Sequence, residues 1–420
     1  MYTLCLRTFF FLAIFLNAGI LTAFQPDLQF YRPNNKDGLN VFETSKTDTV
    51  TYDGLKVRIG GDFAIQFQGL NQSNELDSLV ELGTNFNLPS ANLNVDVQLY
   101  DGMRMHLRTY LSSKHHPESW VKGGHIQIDK FEFINSGFLS NIMNVTTLRF
   151  GLDQFNYGDA HFRRSDNASA IFNPFVGNYI MDAFSTEVFG EVLIQKNGFL
   201  GVLGLTNGKL NQSVVVNEKS DNQPSFYGKL GYDNQLTDDL RVRLTGSAYL
   251  NYGETTGTWL YGGDRAGSRY YNIMQTLDGD GSSFEGRFNP RFNQLTAFQF
   301  NPFIKFKGIE FFGIYEMAMN SEDLGSGAFT QLAAELLYRF GGTEQFYVGG
   351  RYNSVFGKMN ENASTREINR FNVGAGWFIT PNVKTKIEYV AQTYEGDGWA
   401  GSKFEQAEFS GFNIEAVISF

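Results

Sequence analysis

The residues best placed to do chemistry are arginines, carboxylates and histidines recurring at every second position. Between Ala91 and Leu111, the apolar Leu93, Val95, Val97 and Leu99 alternate with Asn92, Asn94, Asp96 and Gln98. Beyond a turn, Met103, Met105 and Leu107 alternate with Arg104, His106 and Arg108. A strand has this period of two, so the charged set shares one face. Such a face offers electrostatics rather than bond-making: facing charges along a confined passage orient polar solutes and bias ion flow. Arg58 and Arg149 sit in similar stretches, and the long segment from Phe155 to Ser185 adds Asp159, His161, Arg163, Arg164, Asp166 and Asp182. These residues form the candidate constriction.

Other chemistries find less support. No nucleophile motif or phosphate-cradling glycine run is present, and the five histidines (106, 115, 116, 125 and 161) lack an evident serine partner. An enzyme is not expected. Asp278, Gly279, Asp280, Gly281 and Glu285 resemble part of a calcium loop, but their spacing departs from the twelve-residue pattern. His115 and His116 with Glu118 would point apart on an extended loop. Hence no metal or cofactor is expected, nor a nucleic-acid partner. The single cysteine, Cys5, lies in an amino-terminal stretch that reads as a signal peptide: Arg7, the apolar run Phe9 to Leu16, then a cleavage site near Ala23. The organisation expected is a signal peptide over 1–23, a polar lead-in over 24–54 and one β-domain over 55–420.

The elements that must position the charged residues are strands. With 41 Phe, 20 Tyr, 45 Gly and 9 Pro in 420 residues, the chain is rich in strand and turn formers. After residue 23 no stretch of eighteen apolar residues could make a spanning helix. The mean hydropathy of -0.26 is compatible with a barrel that shows only alternate residues to lipid. Parity fixes the first hairpin: a loop of Tyr100, Asp101 and left-handed Gly102 sets Gln98 opposite Arg104 and Asp96 opposite His106. The same test yields about sixteen strands, including one near 124–134 with a bulge at Lys130 and Phe131. It also predicts ion pairs from Lys305 to Glu310 and from Glu335 to Arg351.

The connections sort by length. Short ones, such as Lys307 with Gly308 and Thr380 to Asn382, alternate with long ones, such as 155–185 and 252–293. An antiparallel up-and-down β-barrel has this form, with short turns at one end and long loops at the other. The final strand presents Phe412, Ile414, Ala416, Ile418 and Phe420 on one face. Charges on a lipid face cost about 2 to 4 kcal/mol at the bilayer midplane, so the charged face must line the lumen.

The signal peptide, sixteen alternating strands, sorted loops and terminal Phe420 resemble a Gram-negative outer-membrane porin, and the stretch from Leu148 through Gly151 and Leu152 is loosely similar to the phosphate-selective porin group. The resemblance implies an integral outer-membrane barrel with periplasmic turns and extracellular loops, passing small polar or anionic solutes passively, as a homotrimer. It also implies contacts with outer-membrane lipid and with the barrel-assembly machinery, which reads Phe420. The third long loop, 155–185, would fold inward. The alternative is a receptor or adhesin that presents 252–293 as its contact surface.

Overall fold

The computed structural model describes residues 25–111, 120–166, 168–210, 214–216, 222–253, 260–262, 267–279 and 285–420. The leader expected over 1–23, together with His115, His116, Glu118, Asp280 and Gly281, lies outside the described residues.

Sixteen antiparallel strands close into one barrel in sequence order, the last pairing with the first. They are β1 (Lys56–Ser73), β2 (Asn85–Tyr100), β3 (Met103–Leu111), β4 (Trp120–Ile128), β5 (Thr146–Gln154), β6 (Thr186–Lys196), β7 (Phe199–Thr206) and β8 (Ser225–Gln235). The second half comprises β9 (Leu240–Asn251), β10 (Leu295–Phe306), β11 (Ile309–Asn320), β12 (Ala328–Phe340), β13 (Phe346–Lys358), β14 (Arg366–Thr380), β15 (Val383–Glu395) and β16 (Glu408–Ser419). Closure leaves no unpaired sheet edge, which a chain crossing lipid requires. At the seam, Asp62 is set against Ser419, and the Phe420 and Gly61 backbones bond to each other in both directions.

Period-two patterning decides the two faces. Leu203 is 76% and Leu230 74% exposed on the outside, while their inward-facing strand-mates Val202 and Lys229 are each 1% exposed. In β16 Phe412, Ile414, Ile418 and Phe420 point out, and Asn413, Glu415, Val417 and Ser419 are buried inside. An apolar exterior around a charged interior inverts a soluble protein and matches a barrel solvated by lipid.

The first hairpin has the expected register, Gln98 against Arg104 and Asp96 against His106, with the irregularity next to Tyr100 and Gly102 at φ +72°. The fourth strand differs from expectation. It stops at Ile128, because the Asp129 and Lys130 amides both turn to the Gly102 carbonyl and β3 offers nothing further to pair with. Residues 129–145 form a turn region that includes the short helix α1 (Ser140–Met143). The bulge lies at the other end of β4, where Val121 and Gly123 face Thr109 and Arg108. It leaves Lys122 over, and that side chain reaches Asp166 at 2.9 Å. Of the two predicted ion pairs, Arg351 meets Glu335 at 2.7 Å. Lys305 is in register with Glu310 yet bonds Glu344 at 2.6 Å, because Arg339 and Arg163 already occupy Glu310.

Candidate functional site: the lumenal cavity

Three segments enter the lumen. The loop 155–185 crosses it and is anchored on the far wall. Asp159 accepts from Lys229 at 2.9 Å, from Arg243 Nε at 2.8 Å and from Thr245 at 2.8 Å. Arg163 bridges Glu310 (2.6 Å) and Glu335 (2.5 Å), and Arg164 holds Asp182 across the loop's base at 2.5 Å. Farther along, Lys384 and Lys386 donate to loop carbonyls at Asn173 and Phe175, and the Val176 amide donates to Glu388 at 2.9 Å.

Part of the segment 252–293 also turns inward. Tyr261 donates to Glu316 at 2.9 Å, Tyr270 to Glu388 at 2.7 Å, and Arg269 pairs with Glu415 at 2.7 Å. These three side chains are fully buried, so they take no part in the outward surface that the receptor or adhesin alternative would need.

The third segment is the lead-in. It threads the short-turn mouth, with Gln29 bonded to Gln98 and to the Gly102 amide, Asn34 to the Gly61 carbonyl, and Lys46 to Asp129 at 2.9 Å. Glu43 meets Arg243 at 2.8 Å and Lys229 at 3.4 Å. Burial alone would raise the Glu43 carboxyl, but those two cations outweigh it and hold it down at about 2.

Among the described residues a cavity of ≈ 170 Å³ lies between the β2–β6 wall, the loop and the lead-in. Its wall is a polar ladder. Asp96 accepts from His106 Nδ1 at 2.8 Å and lies 3.7 Å from Arg104; Asp153 faces His125 Nδ1 at 2.8 Å and Arg108 at 3.3 Å. Arg149 meets Glu191 at 2.7 Å. His106 and His125 sit opposite each other across β3 and β4, rings 5.3 Å apart. A carboxylate on each Nδ1 selects the tautomer with the proton there.

Of the expected constriction residues, the structure brings Asp96, Arg104, His106, Arg108 and Arg149 together on this wall, and His161 meets them from the loop. Burial and the neighbouring Lys229 push the His161 imidazole down, so it is neutral. Arg58 does not line the cavity but borders it, its guanidinium 5.3 Å from the ring of the lining Tyr31 and its strand position opposite Asp96. Asp159, Arg163, Arg164, Asp166 and Asp182 do not line it either, since their charges are spent on anchoring. Sequence reasoning missed Arg32 and Glu43, whose segment carries no period. It could have found His125, which shares the inward phase of Gln127.

The fold and lining define a class, a sixteen-stranded β-barrel of the outer-membrane porin type. Solved structures with this architecture include OmpT of Vibrio cholerae in trimer form (12% identity, TM-score 0.52, covering 88% of this chain and 100% of that one). The anion-selective porin from Comamonas acidovorans is 9% identical at TM-score 0.53, over 87% of this chain and 100% of that one. The outer membrane channel DcaP of Acinetobacter baumannii is 9% identical at TM-score 0.55, over 88% of this chain and 99% of that one. No family model and no curated protein matches the chain.

Proposed function

We propose that the protein is an outer-membrane porin, a water-filled channel for passive diffusion of small polar or anionic solutes with a weak anion preference. The observation that carries this reading is the cavity. Its charged lining, bounded by an inward-folded loop, is what a barrel needs to conduct polar solutes selectively, and a barrel serving only as a scaffold has no use for it. On this reading the leader over 1–23 exports the chain, the short turns face the periplasm, and Phe420 is the assembly signal. The exterior belt meets lipid, and a homotrimer is the assembled form. The trimer form of the similar Vibrio cholerae structure and the anion selectivity of the similar Comamonas acidovorans porin support this reading.

Purified protein in a planar bilayer tests the reading. Discrete open steps are expected, with a reversal potential on the anion side in a potassium chloride gradient. A silent barrel would remove the channel, and a cation-side potential would remove the anion preference.

A further inference from the structure

The charges around the cavity do not cancel evenly. Four arginines line it (Arg32, Arg104, Arg108 and Arg149), as do four carboxylates (Glu43, Asp96, Asp153 and Glu191). The three wall arginines each have a lining carboxylate within ion-pair distance: Arg104 has Asp96, Arg108 has Asp153 and Arg149 has Glu191. The fourth carboxylate, Glu43, turns away to Arg243 and Lys229, which share Asp159 with it. Asp233 joins at Arg243 and brings Arg241 with it, and the group of three cations and three anions is neutral by itself. Arg32 is left over.

Arg32 has no carboxylate within 4.0 Å among the described residues, yet it is rigidly held. Its Nε donates to the Gly38 carbonyl at 3.0 Å and one terminal nitrogen donates to the Phe162 carbonyl at 3.1 Å. Its guanidinium lies over the Phe172 ring at 3.8 Å. An aromatic face and two carbonyls fix a guanidinium without neutralising it, and the other terminal nitrogen keeps its donors free. The tether is tight. The Lys36 amide bonds the Pro381 carbonyl at 2.8 Å, and a side chain at Gly38 would meet the Pro33 carbonyl at 2.0 Å and the Phe172 ring at 2.9 Å.

We propose that Arg32, carried into the lumen by the lead-in rather than by the barrel wall, is the residue that sets anion selectivity, offering small anions and oxyanions the one cavity cation that no lining carboxylate matches. The inference rests on the channel reading above. It moves the selectivity determinant from the strands to a segment outside the barrel's own ladder.

Single-channel recordings of full-length protein in a potassium chloride gradient test it, with folding checked by heat-modifiable mobility. Arg32→Gln should lower the chloride-to-potassium permeability ratio about two- to fivefold, the Coulomb effect of one charge roughly 4 to 8 Å from an ion in water. Arg32→Glu should push the ratio below unity. Arg32→Lys should keep it near wild type, and Lys307→Gln, which removes an equal charge from an exposed short turn, should change it little. Open channels whose ratio is unmoved by Arg32→Gln and Arg32→Glu would overturn the proposal and leave the porin reading standing. A silent wild type would overturn both. If Arg32→Gln does not fold, Arg32→Met, which keeps the stem on Phe172, decides in its place. Failure of that variant too would make Arg32 a structural tether and end the proposal.

Discussion

Two regions of the lumen wall carry the same kinds of side chain and use them in opposite ways. On β2 to β6 each arginine finds its carboxylate on an adjacent strand or the next but one, as Arg104 does at Asp96, Arg149 at Glu191 and Arg108 at Asp153. Their needs are met within the sheet, so nothing has to cover them and the cavity stays open against them. On β8 to β15 some wall charges pair within the sheet, as Arg351 does with Glu335 and Arg241 with Asp233, but others reach off it. Lys229 and Arg243 take Asp159, Glu388 takes loop amides, and Lys384 takes the Ile171 and Asn173 carbonyls. Desolvated groups must be paired, and here the loop supplies the partners. The comparison teaches that the wall left with charges it does not match within the sheet is the one a loop covers.

That contrast can be broken at several points. The largest effect is expected on the covered side, where Asp159→Ala leaves the buried Lys229 with Glu43 alone and Arg243 with Glu43 and Asp233. Removing one member of such a buried network costs about 3 to 5 kcal/mol. The barrel should melt at lower denaturant, and the loop, losing its first anchor, should give a larger and noisier unitary conductance. Wild-type conductance with unchanged stability would show that the loop is held elsewhere.

A smaller effect, on selectivity rather than stability, is expected on the open side. Arg104→Gln combined with Arg108→Gln leaves Asp96 and Asp153 without their guanidinium partners. Each exposed charge is worth about 1 kcal/mol to an ion at roughly 4 Å in water, about fivefold in a permeability ratio, so the reversal potential should move toward potassium. An unmoved potential would mean that the wall pairs lie off the ion path.

The smallest change is expected from Asp96→Asn. It keeps an acceptor for the His106 Nδ1 proton and removes only the charge, so stability should fall by about 1 kcal/mol and conductance should hardly change. A loss as large as that of Asp159→Ala would show that the open wall is no more self-sufficient than the covered one.

Much of this was legible in the sequence. The alternation at Leu93 to Leu111 sufficed for the hairpin register, because a one-residue slip would turn Arg104 and Arg108 into lipid. The sorted connections sufficed for the barrel, and the even count for its closure. The end of β4 was not legible, since the alternation around it runs on while the neighbouring hairpin turn stops the ladder. Nor could the chain show which loop charges face solute. Asp159, Arg163 and Asp182 read as lining residues until their partners are seen on distant strands or across the loop's own base.

The sequence by itself determined which face of each strand meets lipid and which meets the lumen, because a period of two is a local property and the cost of a charge in hydrocarbon enforces it. Only the tertiary structure decided which inward charges remain available. Pairing depends on what three aperiodic segments bring across the barrel, and Arg32, in a stretch with no pattern, reaches the cavity through bonds to Gly38, Phe162 and Phe172 that no spacing in the chain encodes.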